Sequence, residues 1–110
     1  MVRLIVFIHA LSILCSELAA AEKLSGKELL RRIETGNIQI YTGSNYEFPV
    51  NIIFRANGSI EGVSVNGYYD QGRWWLRGDT LCHQWQAWFD GKRQCHFVYK
   101  TNSILTLTKP

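Results

Sequence analysis

Two Cys-His pairs, Cys82-His83 and Cys95-His96, are the residues whose types most directly suggest chemistry. Two thiolates and two imidazoles make a plausible zinc ligand set, but the short-loop spacing of zinc knuckles is missing. Neighbouring residues of a strand point to opposite faces, so each histidine would diverge from its cysteine. We therefore predict a Cys82–Cys95 disulfide, no metal site and no cofactor, with free or intermolecular thiols as the alternative. We expect His83 and His96 to meet on the opposite face as partly exposed rings.

Paired carboxylates would be needed for acid–base hydrolysis, and five acidic residues of the chain are candidates for that role. Asp79 and Asp90 stand in predicted turns, where carboxylates bond to nearby backbone amides, and Asp70 is expected to begin a loop. The sequence contains no G-x-S-x-G, H-E-x-x-H or phosphate-binding glycine motif. We therefore predict no catalytic residue. A small hydrolase or isomerase with acids at a barrel mouth stays the alternative, its candidates being Glu47, Glu61, Asp70, Asp79 and Asp90.

The Trp74-Trp75 pair is the sharpest part of an aromatic cluster in the second half of the chain. In a strand these neighbours face opposite sides, and Leu76 has the parity of Trp74. If Leu76 marks the interior, Trp75 lies on the outer face with Arg73 and Arg77. An exposed tryptophan between guanidinium groups can stack on a sugar, an aromatic ligand or a partner. The alternative is that the arginines or a helix cover it.

Trp85 and Trp88 form a second pair of tryptophans at positions of opposite parity, so in one strand they would face opposite sides. Trp88 and Gln86 share the parity of Cys82, opposite to that of Leu81 and Trp85. If Leu81 faces inward, Trp88 faces outward or ends its strand, and Gln86 beside it can hydrogen-bond a polar ligand. Core packing or an interface is the alternative for Trp88. The predicted binding residues are therefore Trp75, Arg73, Arg77, Trp88 and Gln86.

One helix is expected near the start of the mature chain. Ser25-Gly26-Lys27-Glu28 is a capping box, and Leu24 and Leu29 have the spacing of a hydrophobic staple. Gly36 is suited to end the helix. The pattern predicts an amphipathic helix over residues 26–35.

After Gly36 the apolar period changes to two, which is typical of half-buried strands. Turn signals follow at short intervals, among them Asn66-Gly67, which favours a type I′ hairpin, Gly78-Asp79 and Asp90-Gly91. A bulge is expected near Gly62, because Ile60 and Val63 have opposite parity. We predict a mainly β domain over residues 22–110: the helix, then an antiparallel meander of about seven strands forming a small barrel or sandwich.

The predicted disulfide constrains the register of this meander. A two-residue loop at Asp90-Gly91 would place Cys82 opposite Tyr99, which is too far from Cys95 for a disulfide. Either a longer connection around residues 88–92 or a bulge must shift the strand.

The first 21 residues have the pattern of an export signal. Met1-Val2-Arg3 is a short basic start, residues 4–14 are an apolar run, and Ala19-Ala20-Ala21 offers an A-x-A cleavage site. Cleavage after Ala21 would remove Cys15 and leave one pair of cysteines. The pattern predicts a periplasmic or extracellular protein with no stable membrane anchor after cleavage, in a compartment where disulfides form.

The mild net charge and the separation of the basic residues disfavour nucleic acid as a partner. Loss of the leader removes one basic and one acidic residue, so the net charge of +3 is unchanged. The basic doublets Arg31-Arg32 and Lys92-Arg93 are separate, unlike the clustered stripe of a nucleic-acid-binding protein. We predict no nucleic-acid partner.

A pattern in the last 40 or so residues resembles the core of small exported proteins of Gram-negative bacteria. It consists of Gly72-x-Trp74, Gly78-Asp79-x-Leu81-Cys82, Trp85 and Cys95-x-Phe97-x-Tyr99. The resemblance implies a periplasmic address and a small barrel in the style of lipocalins or avidins, and it carries no activity to transfer.

Together these patterns predict an exported, non-enzymatic binding module of the cell envelope. Its expected partner is an envelope glycan, a secreted protein or a small ligand. The alternatives are the hydrolase or isomerase named above and a structural subunit of an envelope complex.

Overall fold

The structure is a computed structural model that describes residues 20–43 and 46–110. Residues 1–19 of the predicted signal peptide, with Cys15, lie outside the described residues, so cleavage after Ala21 stays a prediction. Within the described part of the chain, no helix has both the length and the apolar character needed to span a membrane.

One antiparallel sheet of eight strands makes up most of the fold and curls into a half-barrel. Strands β2 to β8 pair in chain order, and β1 pairs with β7 beyond the end of β6. The predicted mainly β, antiparallel fold is confirmed, with one strand more than the seven expected. The strands are β1 (Glu22–Lys23), β2 (Ile38–Tyr41), β3 (Val50–Phe54), β4 (Ser59–Ser64), β5 (Tyr69–Arg77), β6 (Thr80–Trp85), β7 (Gln94–Thr101) and β8 (Ile104–Thr108).

The strands alternate between buried and exposed residues because successive side chains point to opposite faces of a sheet. In β3, Val50, Ile52 and Phe54 are fully buried while Asn51 between them is exposed. We call the face that carries such buried residues the inner face, and the opposite face the outer face. The core on the inner face includes Ile40, Ile52, Phe54, Ile60, Leu81, Trp85, Val98 and Leu107.

Helix α1 spans Gly26–Gly36 and adds Leu29 and Ile33, both fully buried, to this core. The Ser25 hydroxyl accepts a hydrogen bond from the Glu28 amide at 3.1 Å, as a capping box requires. The Glu28 carboxylate does not complete the box. It accepts hydrogen bonds from the Arg31 and Arg32 guanidinium groups instead.

The β5–β6 turn supplies a further cap for α1. The Asp79 carboxylate accepts a hydrogen bond from the Gly26 amide at 2.8 Å. The backbones are so close that a Cβ on Gly26 would lie 2.1 Å from the Gly78 carbonyl oxygen. The turn between β5 and β6 therefore docks the start of the helix on the sheet.

The β4 strand differs from the sequence prediction in two ways. Its register with β3 and β5 is uninterrupted, so the expected bulge near Gly62 is wrong, and Val63 is exposed on the outer face. Gly62 instead lies beneath two tryptophans: a Cβ there would stand 2.5 Å from Trp85 and 2.7 Å from Trp88. The glycine makes room for aromatic rings on the inner face.

The hairpin between β4 and β5 is not a type I′ turn, because that turn needs positive φ at both central residues and Asn66 does not have it. Gly67 has φ 84°, and the Ser64 amide donates to the Tyr68 carbonyl. The loop is therefore one residue longer than predicted, with the glycine in its last position.

The predicted disulfide between Cys82 and Cys95 is confirmed. The two residues are direct cross-strand partners, with Cα atoms 4.0 Å apart. This register follows from a longer connection between β6 and β7 over residues 86–93, which contains a 3-10 turn at Trp88–Gly91. Cys82 alternates with the inward-facing Leu81, so the disulfide lies on the outer face.

Candidate functional site

A polar cluster occupies the inner face of β6 and β7. His83 and Gln94 are cross-strand partners, and His96 stands opposite Leu81 in the same ladder. These residues alternate with the outward-facing cysteines, so they share the inner face, as the parity of the Cys-His pairs predicts. Tyr46, from the segment before β3, lies over them with 9% of its surface exposed.

A hydrogen-bond chain fixes the protonation of the cluster. The Trp85 indole N–H donates to the Tyr46 hydroxyl at 2.7 Å. The same hydroxyl lies 2.5 Å from His83 Nε2. The hydroxyl has one proton and already accepts from Trp85, so we assign that proton to the bond with His83, whose Nε2 then accepts it. The proton of the neutral ring is therefore assigned to Nδ1.

The two histidine rings stack on each other, with centroids 5.5 Å apart and planes 18° from parallel. His83 is fully buried and His96 is 5% exposed, so the prediction of partly exposed rings is wrong. Burial, with His96 nearby, lowers the pKa of His83 to about 3, although the Gln94 side chain opposes this shift. Burial and then the Lys109 charge lower the pKa of His96. Both rings are neutral at neutral pH because desolvation disfavours the imidazolium.

A cleft of about 530 Å³ opens beside this cluster. Its wall combines hydrogen-bonding groups, an aromatic ring and one charge of each sign. A volume of this size is typical of small-molecule sites. The residues that matter for its chemistry are Tyr46, Glu47, Phe89, Gln94, His96 and Lys109.

The wall of the cleft contains polar atoms that the protein itself does not satisfy. Among the described residues, no hydrogen-bond partner is present for His96 Nδ1 or Gln94 Oε1, or for His83 Nδ1 behind them, although all three atoms are buried. Buried polar groups are nearly always paired, since an unpaired one costs about 1–3 kcal/mol. The Gln94 side chain acts on His83 as a hydrogen-bond partner that raises the pKa of that ring, so His96 Nδ1 is the clearest unpaired atom of the three and indicates a role other than stability.

Phe89 forms part of the same wall in a strained conformation. Its φ and ψ are 58° and 31°, in the left-handed region that bulky residues rarely adopt. The ring is held by Phe48, with which it stacks at 5.3 Å, and by Tyr46, whose centroid is 4.8 Å away. Strain of this kind concentrates at ligand sites, where packing holds it in place.

The predicted outward cluster around Trp75 forms on a different part of the molecule. Trp75 is opposite Cys82 on the outer face, with Arg73 and Arg77 exposed on the same side. The Arg73 guanidinium lies over the Trp75 ring, 4.8 Å from its centroid, and donates to Gln84 at 3.0 Å. The arginine thus covers one face of the half-buried ring, as the shielding alternative describes.

Of the other two predicted residues, Gln86 lines a groove with Arg73, whereas Trp88 lies apart from them. Trp88 follows the end of β6 and packs inward, 4.7 Å from the Trp85 ring and 5.3 Å from that of Phe48. Gln86 is exposed, and its amide donates to the Gln71 carbonyl at 3.0 Å. The structure therefore keeps Arg73, Trp75, Arg77 and Gln86 on the outer side and separates Trp88 from them.

Three of the five candidate catalytic carboxylates have structural partners. Asp70 belongs to β5 rather than to a loop, and its carboxylate accepts from the amides of Gln71, Ala87 and Trp88. Asp79 caps α1. The Arg55 guanidinium, 2.8 Å from Glu61, holds the pKa of that carboxyl below its usual range. Only Glu47 of the five is part of the cleft wall.

Tyr46 and Phe89 are the site residues that sequence reasoning missed. Tyr46 lies in a segment without apolar periodicity and is separated by 37 residues from His83. Phe89 stands in the stretch where the sequence predicts a turn at Asp90-Gly91 with either a longer connection or a bulge, and neither alternative singles it out. The only usable signal was that each histidine follows a cysteine of the predicted disulfide and so faces away from it.

Comparison with known proteins adds no relative from which a role could be transferred, since no family model, no curated protein and no solved structure matches the chain. Among the described residues, no group of three or more histidine, cysteine or acidic side chains is arranged to hold a metal ion. The candidate site is therefore defined by the geometry of the cleft.

Proposed function

We propose that this protein is an exported, non-enzymatic binding module that holds a small polar ligand in the cleft beside Tyr46, Phe89, Gln94 and His96. The observation that carries the proposal is the buried His96 Nδ1, which has no hydrogen-bond partner among residues 20–43 and 46–110, with Gln94 Oε1 beside it in the same wall. Neither atom is exposed to the cleft, so a ligand pairs with them only after the two side chains turn towards it, and that pairing would offset a cost that the free protein bears.

The chemistry of the wall favours a polar ligand with an apolar side. The Gln94 carbonyl is an acceptor, and neutral His96 offers a donor or an acceptor according to its tautomer. Glu47 and Lys109 add opposite charges at the exposed rim, while Phe89 supplies a ring. Such a mixture suits a ligand that carries both hydrogen-bond donors and acceptors.

Binding without catalysis is favoured by the positions of the titratable groups. His83, whose Nε2 accepts the Tyr46 proton, is fully buried and out of reach of a substrate. Asp70, Asp79 and Glu61 are engaged elsewhere, so the cleft has a single carboxylate of the five candidates. The alternative of a hydrolase with paired acids has no supporting arrangement among the described residues.

Export is supported by the disulfide between Cys82 and Cys95, since such bonds persist in oxidising compartments. It agrees with the signal-like start of the sequence. The periplasm or the extracellular space is therefore the proposed location.

The binding proposal is tested by titrating glucose, glutamine, citrate and choline into the disulfide-bonded protein, isotopically labelled at its histidine and glutamine side chains. We expect at least one compound to shift the NMR signals of His96 and Gln94 together and saturably. Gln94→Leu should weaken that binding about tenfold, the loss of one buried hydrogen bond.

The matched control is Gln86→Leu, which changes the same residue type at an exposed position outside the cleft wall. It should leave the affinity within about twofold. Signals of His96 and Gln94 that respond to none of the four compounds, or equal losses in the two variants, would count against the cleft as the binding site.

A further inference from the structure

The outer face of strands β2 to β5 carries a row of side chains that crosses four strands. The register pairs Tyr41 with Asn51, Asn51 with Val63, and Val63 with Tyr69. At the spacing of neighbouring strands, the two tyrosines at its ends are about 14 Å apart along the sheet. The row is thus long enough for several linked sugar units.

Both terminal rings are accessible. Tyr41 is 51% exposed and Tyr69 is 55% exposed, and Val63 between them is 48% exposed. Single exposed apolar residues are common, but these three are aligned in one cross-strand row on the outer face of the curled sheet. The arrangement gives two rings with an apolar and an amide side chain between them.

Tyr69 has a charged neighbour on the same face. The register places it diagonal to Glu61, and partial burial and the Glu61 carboxylate raise the pKa of Tyr69. Glu61 is itself held by Arg55 at 2.8 Å. The carboxylate beside Tyr69 is therefore already paired.

The adjacent row supplies hydrogen-bonding groups and little net charge. Its members are aligned by the same register and are Gln39, Ile53, Glu61 and Gln71. Gln39, Gln71 and Asn51 are exposed amides, each with donors and an acceptor. Glu61 is the one charged residue of the two rows, and Arg55 neutralises it.

We propose that this outer face binds a neutral glycan chain, with Tyr41 and Tyr69 stacking on sugar rings and the amides of Gln39, Asn51 and Gln71 bonding to hydroxyl groups. Sugar rings have apolar faces that pack on aromatic side chains, and their hydroxyl groups need both donors and acceptors. An anionic polymer gains nothing here, since no unpaired cation lies in either row. The site is separate from the cleft on the inner face.

The experiment is a calorimetric titration of the disulfide-bonded protein with chitohexaose and with cellohexaose, two neutral hexasaccharides. We expect saturable binding of at least one. Tyr41→Ala and Tyr69→Ala should each weaken it about tenfold, since each removes one stacked ring. Tyr69→Phe should keep most of the affinity because the ring remains.

Tyr68→Ala is the matched control. Tyr68 is 69% exposed and adjacent to Tyr69, but it has the opposite parity and lines a groove with Trp88. It should change the affinity less than twofold. Absence of binding to both hexasaccharides, a loss in Tyr68→Ala equal to that in Tyr41→Ala, or tighter binding of an oligogalacturonate of the same length would each overturn the proposal.

Both surface variants are expected to fold, since half-exposed side chains are replaced. Should Tyr69→Ala lose its native circular dichroism, Tyr41→Ala, which lies on another strand, decides the outcome. Loss of glucose or citrate binding in the cleft has no bearing on this face, because the two sites lie on opposite sides of the sheet.

Discussion

Among single residues, the two histidines have one property that alternation along a strand predicts and one that it does not. Their position opposite the disulfide follows from alternation, because Cys82 and Cys95 are outward in the observed register. Their depth does not follow, because it depends on Tyr46, a residue distant in the sequence that covers the rings. Burial then makes both rings neutral.

We predict that acid destabilises the protein through these rings. Their pKa values are lowered in the folded state, so the unfolded chain takes up protons at about pH 6.5 while the folded protein does not. The stabilisation that comes from the neutral rings is therefore fully present above pH 6.5. It is lost as the pH falls towards the folded-state pKa, which for His83 is about 3. His83 contributes up to about 1.4 kcal/mol per pH unit within that window, and His96 acts in the same direction.

Urea unfolding between pH 5 and 7 measures this effect. His96→Phe removes one of the two groups and should make the dependence shallower. A free energy of unfolding that is constant over this range would contradict the burial of neutral rings.

Among the helix, strands and turns, the sequence predicts correctly those features that depend on residues close together in the chain. The Ser25 cap and the Gly78-Asp79 turn are of this kind, and both are present. The β6–β7 connection is different. Phe89 and Asp90 adopt positive φ there, which no local rule favours for phenylalanine. The disulfide requires a connection between β6 and β7 that is longer than two residues. The sequence does not predict the turn that forms this connection.

We predict that the Asp79 carboxylate stabilises α1 across the fold. Asp79→Ala removes its hydrogen bond to the Gly26 amide and should lower the free energy of unfolding by about 1 kcal/mol, the usual effect of losing a helix cap. Chemical denaturation at pH 7 measures the change. Asp79→Asn is the control, since its amide oxygen can still accept the bond. If the alanine and asparagine variants lose the same amount, the cap is not the cause.

For the molecule as a whole, the antiparallel β fold was predictable but its interior was not. Alternation and turn residues indicate the meander, whereas Gly62 beneath Trp85 and Trp88 can be recognised only when the strands are paired. The candidate site could not be predicted for the same reason, because its residues come together only when the strands are paired. It combines β6, β7 and the Tyr46 segment, and the residues predicted from sequence lie on other surfaces.

In our proposal, the polar atoms of the cleft wall serve to bind a ligand and do not stabilise the folded protein. Groups kept for binding commonly reduce stability, so replacing them should stabilise the free protein. His96→Phe keeps a ring of similar shape against His83 and Tyr46 and removes the unpartnered Nδ1. Gln94→Leu removes the unpartnered Oε1 in the same way.

The decisive measurement is therefore the free energy of unfolding of His96→Phe at pH 7.5, where the histidines are neutral in both states, with Gln94→Leu as the second variant. We expect the phenylalanine variant to be more stable than the wild type by about 1–2 kcal/mol, the cost of one unpaired buried polar group. A loss of stability in both variants would contradict the proposal, because these atoms would then serve the fold.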